Sequence, residues 1–412
     1  MRTLLAILLL CSPCGAKELV TPDRLELVGG YRVPRFSGHD KATTWTAFPR
    51  GGMAIHTQPD GTVLAFVENG ENKGGQVLEC VGSGPPGTDA DPQKWPLLSQ
   101  GSVWNRGELF PGLGVGGYEI PEGLCFDGAT QRLYVSTRST YATPPLPKLK
   151  LATVQYPEKT ILEPQVFDVN AQRYGGGITT TPAGLAFASG GFTGGQGGSD
   201  GPTFARIQPE GTLQQAMHFA ATDQVGADQP NGYVNVKPRV ERAFADYSVG
   251  KCPWAIPPDE TGGYFATSSL RGGGAYVDTP TVHGVCYFVR QPIGLVTYQQ
   301  QNECLATQYA TNLYVYEPAD LDGTKKVYEP RAKFHRWQLP FFNKPARACC
   351  FNGGILWVYY PQVWTQAGVS GRFPVIAAYR VKEVEPPIVT KKLRVVSGEW
   401  APGNVVEVEE IE

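Results

Sequence analysis

The chain lacks helical periodicity and, beyond its first residues, long hydrophobic runs. Apolar residues do not recur at the intervals of an amphipathic helix, and after the run from Leu4 to Leu10 no apolar stretch approaches membrane-spanning length. The chain instead holds 50 glycines and 35 prolines, and its short apolar runs are rich in Val, Ile, Tyr and Phe. Turn signals such as Asp127-Gly128 and Asn352-Gly353 separate these runs. The pattern predicts an all-β chain of many antiparallel strands with no transmembrane segment.

A surplus of charge of one sign is also lacking, as are grouped metal ligands. The 36 Lys and Arg residues nearly balance the 38 Asp and Glu residues, so general binding to nucleic acid or to an anionic membrane is not expected. The five histidines stand singly, without a pair at i and i+4. The glycine-rich stretch 190–201 precedes a strand pattern and not a helix, which excludes a phosphate cradle. We therefore predict no metal site, and nothing in the sequence identifies a cofactor.

The first sixteen residues have the pattern of a secretory signal peptide. Arg2 precedes the apolar run and small residues follow it, so cleavage is expected after Ala16. The mature protein, residues 17–412, is predicted to be secreted or periplasmic, and we expect a monomer. Cys11 and Cys14 raise the alternative of a lipid anchor, but the residues before each match a lipid-attachment box poorly.

A hairpin unit recurs five times along the mature chain. Each copy has a small-residue start, a hydrophobic strand, a tight turn and a second hydrophobic strand, and the copies begin at Gly51, Glu122, Gly176, Cys252 and Ala346. Third strands are predicted at 75–81, 149–155, 203–208, 312–317 and 374–382, and fourth strands at 165–169, 214–219, 333–339 and 392–396. One hairpin cannot bury its own apolar faces, so five similar units indicate a stacked or circular array.

Four antiparallel strands per unit resemble one blade of a β-propeller, and this resemblance covers essentially the whole mature chain. The WD dipeptide, the kelch double-glycine pattern and the sialidase Asp box are absent. No propeller family is therefore assigned, and no family's catalytic residues are carried over. We predict a single propeller domain of five blades with an insertion at about 272–311, the alternative being a sixth blade within that insertion.

Two long-range pairings follow from this arrangement. The segment from Arg24 to Val33 is expected to complete the last blade beside Lys392 to Val396, because an open ring would leave unpaired sheet edges. Cys286 with Cys304 is the first candidate for a disulfide because both lie in the expected insertion, although the spacing leaves the connectivity open.

Candidate binding residues lie in the loops on one face of the predicted ring. These loops lead into the first strands or join second strands to third strands, and they hold both cations and aromatic residues. Arginine suits planar carboxylates or sulfates, and tryptophan and tyrosine offer flat apolar surfaces with a polar atom. The candidates are Arg50, Arg138, Arg173, Lys251, Trp254, Arg271, Arg347, Tyr360 and Trp364. Together they predict a locally positive mouth suited to an anionic oligosaccharide; the alternative is that the arginines pair with nearby carboxylates and only staple blades together.

Candidate catalytic residues lie in the same loops. Glycoside hydrolysis needs two carboxyl groups flanking one bond, and the available candidates are Glu122 with Glu68 or with Asp40. A lyase acting on uronates would need a neutralising cation and a base such as Tyr174 or His283. Three functions stay open: binding or cleavage of an anionic oligosaccharide, a non-catalytic surface scaffold, and hydrolysis of a neutral glycan.

Overall fold

The structure describes most of the strand-forming part of the chain. The computed structural model describes residues 17–34, 52–69, 75–113, 119–139, 148–189, 202–217, 273–299, 303–321, 333–337, 346, 348–365, 373–384, 392–397 and 407–411. Within these ranges the chain forms five antiparallel sheets of four blade strands, arranged as a five-bladed β-propeller. The predicted fold class is confirmed.

The first three blades follow one another along the chain. Blade 1 consists of β3 (Met53–Thr57), β4 (Thr62–Asn69), β5 (Gln76–Ser83) and β6 (Ser99–Asn105). Blade 2 consists of β7 (Glu119–Asp127), β8 (Arg132–Ser139), β9 (Lys148–Gln155) and β10 (Thr160–Asn170). Blade 3 consists of β11 (Ile178–Thr181), β12 (Gly184–Ser189), β13 (Thr203–Ile207) and β14 (Leu213–Met217). Two short helices, α1 (Arg106–Leu109) and α2 (Ala171–Tyr174), follow the outermost strands of blades 1 and 2.

The last two blades each receive a strand from the N-terminal segment, which holds β1 (Glu18–Leu19) and β2 (Leu25–Arg32). Blade 4 consists of β15 (Ala275–Asp278), β16 (Val282–Gln299), β17 (Glu303–Tyr316) and β18 (Lys333–Trp337), and β1 pairs in parallel with the start of β16. Blade 5 consists of β19 (Ala348–Asn352), β20 (Ile355–Trp364), β21 (Phe373–Val381) and β2. A separate hairpin pairs β22 (Lys392–Ser397) with β23 (Glu407–Ile411), and 3-10 turns span Pro22–Arg24, Pro92–Lys94 and Pro318–Leu321.

The first strands of the blades close a ring. β3 contacts β7, β7 contacts β11, β11 contacts β15, β15 contacts β19, and β19 returns to β3. Glycine permits this close approach: a β-carbon on Gly52 would lie 1.8 Å from the carbonyl oxygen of Glu122, and one on Gly177 would lie 2.3 Å from the α-carbon of Gly273. Backbones from neighbouring blades therefore meet near the axis at one end of the ring.

The hydrophobic core is divided among the junctions between blades. Five clusters of buried side chains each join two neighbouring sheets. At the junction of blades 1 and 2, for example, Phe66 stacks on Phe126 with ring centroids 5.6 Å apart. Because both faces of a blade are covered, an inner strand such as β21 is buried along nearly all of its length and reads as a continuous apolar run.

The N-terminal strand β2 closes the ring by completing blade 5. It pairs antiparallel with β21, from Leu25 opposite Val381 to Arg32 opposite Val375. The expectation that this segment completes the last blade is confirmed, but the predicted partner, Lys392 to Val396, is wrong. Since β2 takes the fourth position beside β21, residues 392–397 pair with β23 instead.

Blade 4 begins later in the chain than the sequence pattern indicated. Its first hairpin is β15 with β16, whereas the predicted hairpin from Cys252 lies outside the described residues. Residues 272–311, expected to be an insertion, thus contribute β15, β16 and part of β17. The predicted third and fourth strands of this blade correspond to the end of β17 and to β18.

The suggested disulfide between Cys286 and Cys304 is wrong. In the β16–β17 register Cys286 lies opposite Val315, and Cys304 lies opposite Tyr298. At about 3.4 Å per residue the two cysteines are roughly 40 Å apart along the ribbon, far beyond the reach of a disulfide. Cys286 is a buried free thiol. Among the described residues no helix is long and apolar enough to cross a membrane.

Candidate functional site

A buried ion pair lies in blade 2 at the end of the ring where the first strands begin. Pairing of β7 with β8 shifts register between Pro121 and Gly123, so Glu122 is the extra residue of a β-bulge. A bulge redirects the side chain that it carries. The Arg138 Nη1 atom donates to Glu122 Oε1 at 2.6 Å, and both side chains are at most 1% exposed. Glu122 Oε2 makes no hydrogen bond within the described part of the chain.

A second buried glutamate, Glu68, lies on the neighbouring blade. Glu68 is the seventh residue of β4 in blade 1 and is 1% exposed. Its backbone amide donates to the carbonyl oxygen of Gly52 at 3.3 Å, and the α-carbon of Gly52 lies against the carbonyl of Glu122. Both acidic residues therefore contact Gly52 through their backbones, at the end of the ring where the first strands begin.

Blade 3 supplies the opposite wall of this site. The Ser136 hydroxyl of β8 donates to the carbonyl oxygen of Gly175 at 2.8 Å. A β-carbon on Gly176 would lie 2.4 Å from Ser189 Oγ and 2.9 Å from Arg138 Nη1. These serines and glycines were not predicted as site residues, because isolated hydroxyls and glycines in strand patterns carry no signal for a site. We name the group formed by Glu68, Glu122, Arg138 and Gly176 the carboxylate cluster.

Two other predicted catalytic residues lie away from the carboxylate cluster. Tyr174 ends α2, is buried in the core between blades 2 and 3, and donates its hydroxyl to Gln215 Oε1 on the outermost strand of blade 3 at 2.9 Å. His283 is the second residue of β16, directly after the β15–β16 turn, so it lies at the opposite end of the ring. Its Nε2 is 3.2 Å from Glu317 Oε1. The misplacement of His283 follows from assigning the first hairpin of blade 4 to residues 252–272.

Two of the predicted aromatic ligands belong to the core of blade 5. Tyr360 is fully buried, and its hydroxyl is 3.4 Å from that of Tyr379. Trp364 packs on Phe373, with ring centroids 5.0 Å apart, and carries the Arg32 guanidinium over its ring. Both side chains therefore pack in the hydrophobic core at the junction of blades 4 and 5.

Most of the predicted cations lie outside the residues that the structure describes. Arg173 lies on α2, but its side chain is not among those described. Arg50, Lys251, Arg271 and Arg347 lie outside the described residues, and so does the predicted aromatic ligand Trp254. Of the predicted cations Arg138 alone has a described side chain, and its carboxylate partner is in its own blade, so this pair does not staple one blade to the next.

A different buried glutamate, Glu79, is enclosed by partners between blades 1 and 2. It accepts hydrogen bonds from Lys159 Nζ at 2.6 Å, from the Ser102 amide at 2.8 Å and from the Tyr156 hydroxyl at 3.1 Å. Burial alone would raise the pKa of Glu79, but the hydrogen bonds from Lys159 and Ser102 outweigh it and lower that pKa. Burial, together with the Glu79 charge, raises the pKa of Tyr156. This fully bonded glutamate contrasts with Glu122 and serves as its control.

The described residues contain no group of three or more His, Cys, Asp and Glu side chains that could hold a metal ion. The chemistry available in the carboxylate cluster is that of two carboxyl groups and one guanidinium in a buried setting. Carboxyl groups can exchange protons with a substrate and a water molecule.

In a comparison with solved structures, several glycosidases align with most of this chain at low sequence identity. A glycosyl hydrolase from Bacteroides ovatus is 10% identical, with 88% of this chain and 96% of that chain covered and a TM-score of 0.41. The GH43_1 enzyme from Xanthomonas citri, solved with xylotriose, is 10% identical over 80% of this chain and 86% of its own, with a TM-score of 0.38. An α-L-arabinofuranosidase from Podospora anserina, solved with cellotriose, is 9% identical over 86% and 97%, with a TM-score of 0.35. No family model matches this chain, and no curated protein matches it.

Proposed function

We propose that the protein is a carbohydrate-active propeller that hydrolyses a glycosidic bond with Glu122 and Glu68. The observation that carries the proposal is the carboxylate pair: two buried glutamates from neighbouring blades adjoin Gly52 at one end of the ring. Glycoside hydrolysis uses two carboxyl groups on either side of the bond that breaks. Glu79, the other glutamate buried to this degree in blade 1, has its carboxylate enclosed by three donors instead.

The two glutamates take different roles in this proposal. Glu122 acts as the carboxylate that engages water or the anomeric carbon, because Arg138 holds its Oε1 by a charge-assisted hydrogen bond and Oε2 is left for the reaction. Glu68 acts as the acid that gives its proton to the leaving oxygen as the bond to the anomeric carbon breaks. Water supplies the new oxygen on that carbon and returns a proton to the enzyme, so the site is restored.

The finer part of the proposal concerns the substrate. The sequence predicts a positive mouth with Arg50, Lys251, Arg271 and Arg347, which lie outside the described residues, and such a mouth would favour an anionic oligosaccharide over a neutral one. The buried Arg138–Glu122 pair is what a non-catalytic scaffold would also contain, so a scaffold is the competing function. The predicted signal peptide agrees with a glycan encountered outside the cytoplasm.

A screen of the purified mature protein against acidic and neutral polysaccharides tests the proposed function. We expect release of reducing ends without absorbance from unsaturated products, and greater release from acidic polysaccharides. NMR of the first product then shows whether the anomeric configuration is retained or inverted. Unsaturated products would favour a lyase, release from neutral glycans alone would overturn the anionic substrate, and no turnover on any polysaccharide would favour the scaffold.

A further inference from the structure

The glycines before β11 differ in what a side chain there would meet. A β-carbon on Gly175 would lie 1.9 Å from the Thr137 carbonyl oxygen, and one on Gly177 would lie 2.2 Å from the Ala188 carbonyl oxygen. Both conflicts involve backbone atoms, so an added methyl group there would force strands apart. A β-carbon on Gly176 would meet two side-chain atoms at under 3.0 Å, Ser189 Oγ and Arg138 Nη1. An alanine at 176 would therefore move side chains before it moved the backbone.

Because Gly176 has no side chain, it leaves room for Arg138 Nη1, the atom that donates to the carboxylate of Glu122. Arg138 Nη1 lies 2.9 Å from the position of a β-carbon on Gly176 and donates to Glu122 Oε1 at 2.6 Å. The guanidinium therefore reaches across from β8 toward blade 3, and it occupies the space that a side chain at 176 would need. Displacing Nη1 changes the position of Glu122, because the shared hydrogen bond connects the two.

We propose that Gly176 is a positioning residue, which sets the orientation of Glu122 through the Arg138 guanidinium. The expected effect of a substitution at Gly176 on the rate rests on the proposed function. Its expected effect on the Arg138–Glu122 ion pair rests on geometry alone. Blade 3 thus contributes to the reaction without supplying a group that touches the substrate. The position of the Glu122 carboxylate in blade 2 therefore depends on how blade 3 packs against blade 2.

A double-mutant cycle between Gly176→Ala and Arg138→Lys tests this positioning role in the full mature protein. Lysine has a single ammonium nitrogen in place of the planar guanidinium of arginine. The methyl group introduced by Gly176→Ala would therefore displace fewer side-chain atoms at position 138. We expect Gly176→Ala alone to lower kcat at least tenfold with KM within about threefold of wild type. We expect the same substitution to change kcat less than threefold in the Arg138→Lys background, because interacting residues are not additive.

The matched control is Gly107→Ala, whose β-carbon would meet nothing within 4 Å. The cycle is read in urea unfolding midpoints as well as in kcat. If the wild type has no activity, the proposed function fails, but non-additive midpoints still support the coupling of Gly176 to Arg138. The positioning role is overturned if Gly176→Ala matches Gly107→Ala in both readouts, or if its effects and those of Arg138→Lys simply add.

Discussion

At the scale of single residues, the buried polar side chains belong to two environments. Glu79 is enclosed by three donors and holds blades 1 and 2 together, whereas Glu122 has one donor on one oxygen within the described residues. Removing one partner of a buried ion pair typically costs about 3–5 kcal/mol, so Glu122 is not a neutral position for mutation, whereas the Lys159 partner of Glu79 is partly exposed.

His56 is another buried polar residue, and it makes stability depend on pH. Its ring stacks on Phe126 at 4.6 Å, and neither ring nitrogen has a hydrogen-bond partner among the residues that the structure describes. Burial lowers the pKa of His56 from its ordinary value of 6.5. The unfolded state therefore binds a proton at a higher pH than the folded state does.

We predict that the free energy of unfolding falls as the pH is lowered from 6.5 toward the depressed pKa of His56. His56→Leu should remove this part of the pH dependence, because the variant has no proton to gain on unfolding. Phe126→Leu is the matched control: it loses the same ring contact, so it should be less stable at every pH while keeping the slope. Urea unfolding between pH 5 and pH 8 measures both variants, and an unchanged slope in His56→Leu would contradict the prediction.

At the scale of elements, the closure of blade 5 by β2 depends on close packing around one glycine. A β-carbon on Gly30 would lie 2.1 Å from Trp95 Cζ3 and 2.4 Å from the Ile376 carbonyl oxygen. The Gly30 amide donates to the Gly87 carbonyl oxygen at 3.0 Å, and the Gly87 amide donates to the Gly30 carbonyl oxygen at 2.9 Å. β2 is thus bonded to β21 on one side and to the loop after β5 on the other.

We predict that Gly30→Ala destabilises the protein by about 1–3 kcal/mol or more, because the methyl group overpacks the closure between β2, Trp95 and β21. Urea unfolding measures the loss. Gly107→Ala, in the helix α1 with open space around it, should change stability by no more than about 1 kcal/mol in the favourable direction. Equal stabilities of the two variants would mean that the ring is not closed through β2.

The same elements show how far sequence reasoning reaches. Alternating apolar runs and turn signals are local features, so they located the hairpins of blades 1, 2, 3 and 5 and the third strand of every blade. Pairing partners are not local: β2 is next to β21 and not to residues 392–396, because four strands fill a blade. The first described hairpin of blade 4 is β15 with β16, whereas the predicted hairpin at 252–272 lies outside the described residues. This later start puts His283 at the end of the ring opposite to the one predicted.

At the scale of the whole molecule, ring closure gathers residues that lie far apart in the chain. Glu68, Glu122 and Gly176 belong to three consecutive blades and lie at the same end of the ring, because the starts of the first strands converge there. Sequence could place Glu68 and Glu122 on the same face, since both lie near the matching ends of their hairpins. It could not place Arg138 on Glu122, because that contact depends on a one-residue bulge. It also could not recognise that the Tyr174 hydroxyl faces the outermost strand of blade 3.

The most direct test of the account is the rate of reducing-end release by Glu122→Gln, Glu68→Gln and Glu79→Gln beside the wild type, on one panel of acidic and neutral polysaccharides. All three substitutions replace a buried carboxylate by an amide of the same shape, and only the first two lie in the carboxylate cluster. The account predicts that Glu122→Gln and Glu68→Gln each lose at least a hundredfold in rate, in line with the loss of an acid or base group, while Glu79→Gln stays within about threefold of wild type. Release that is equal in all four proteins, or lost in Glu79→Gln alone, would contradict it.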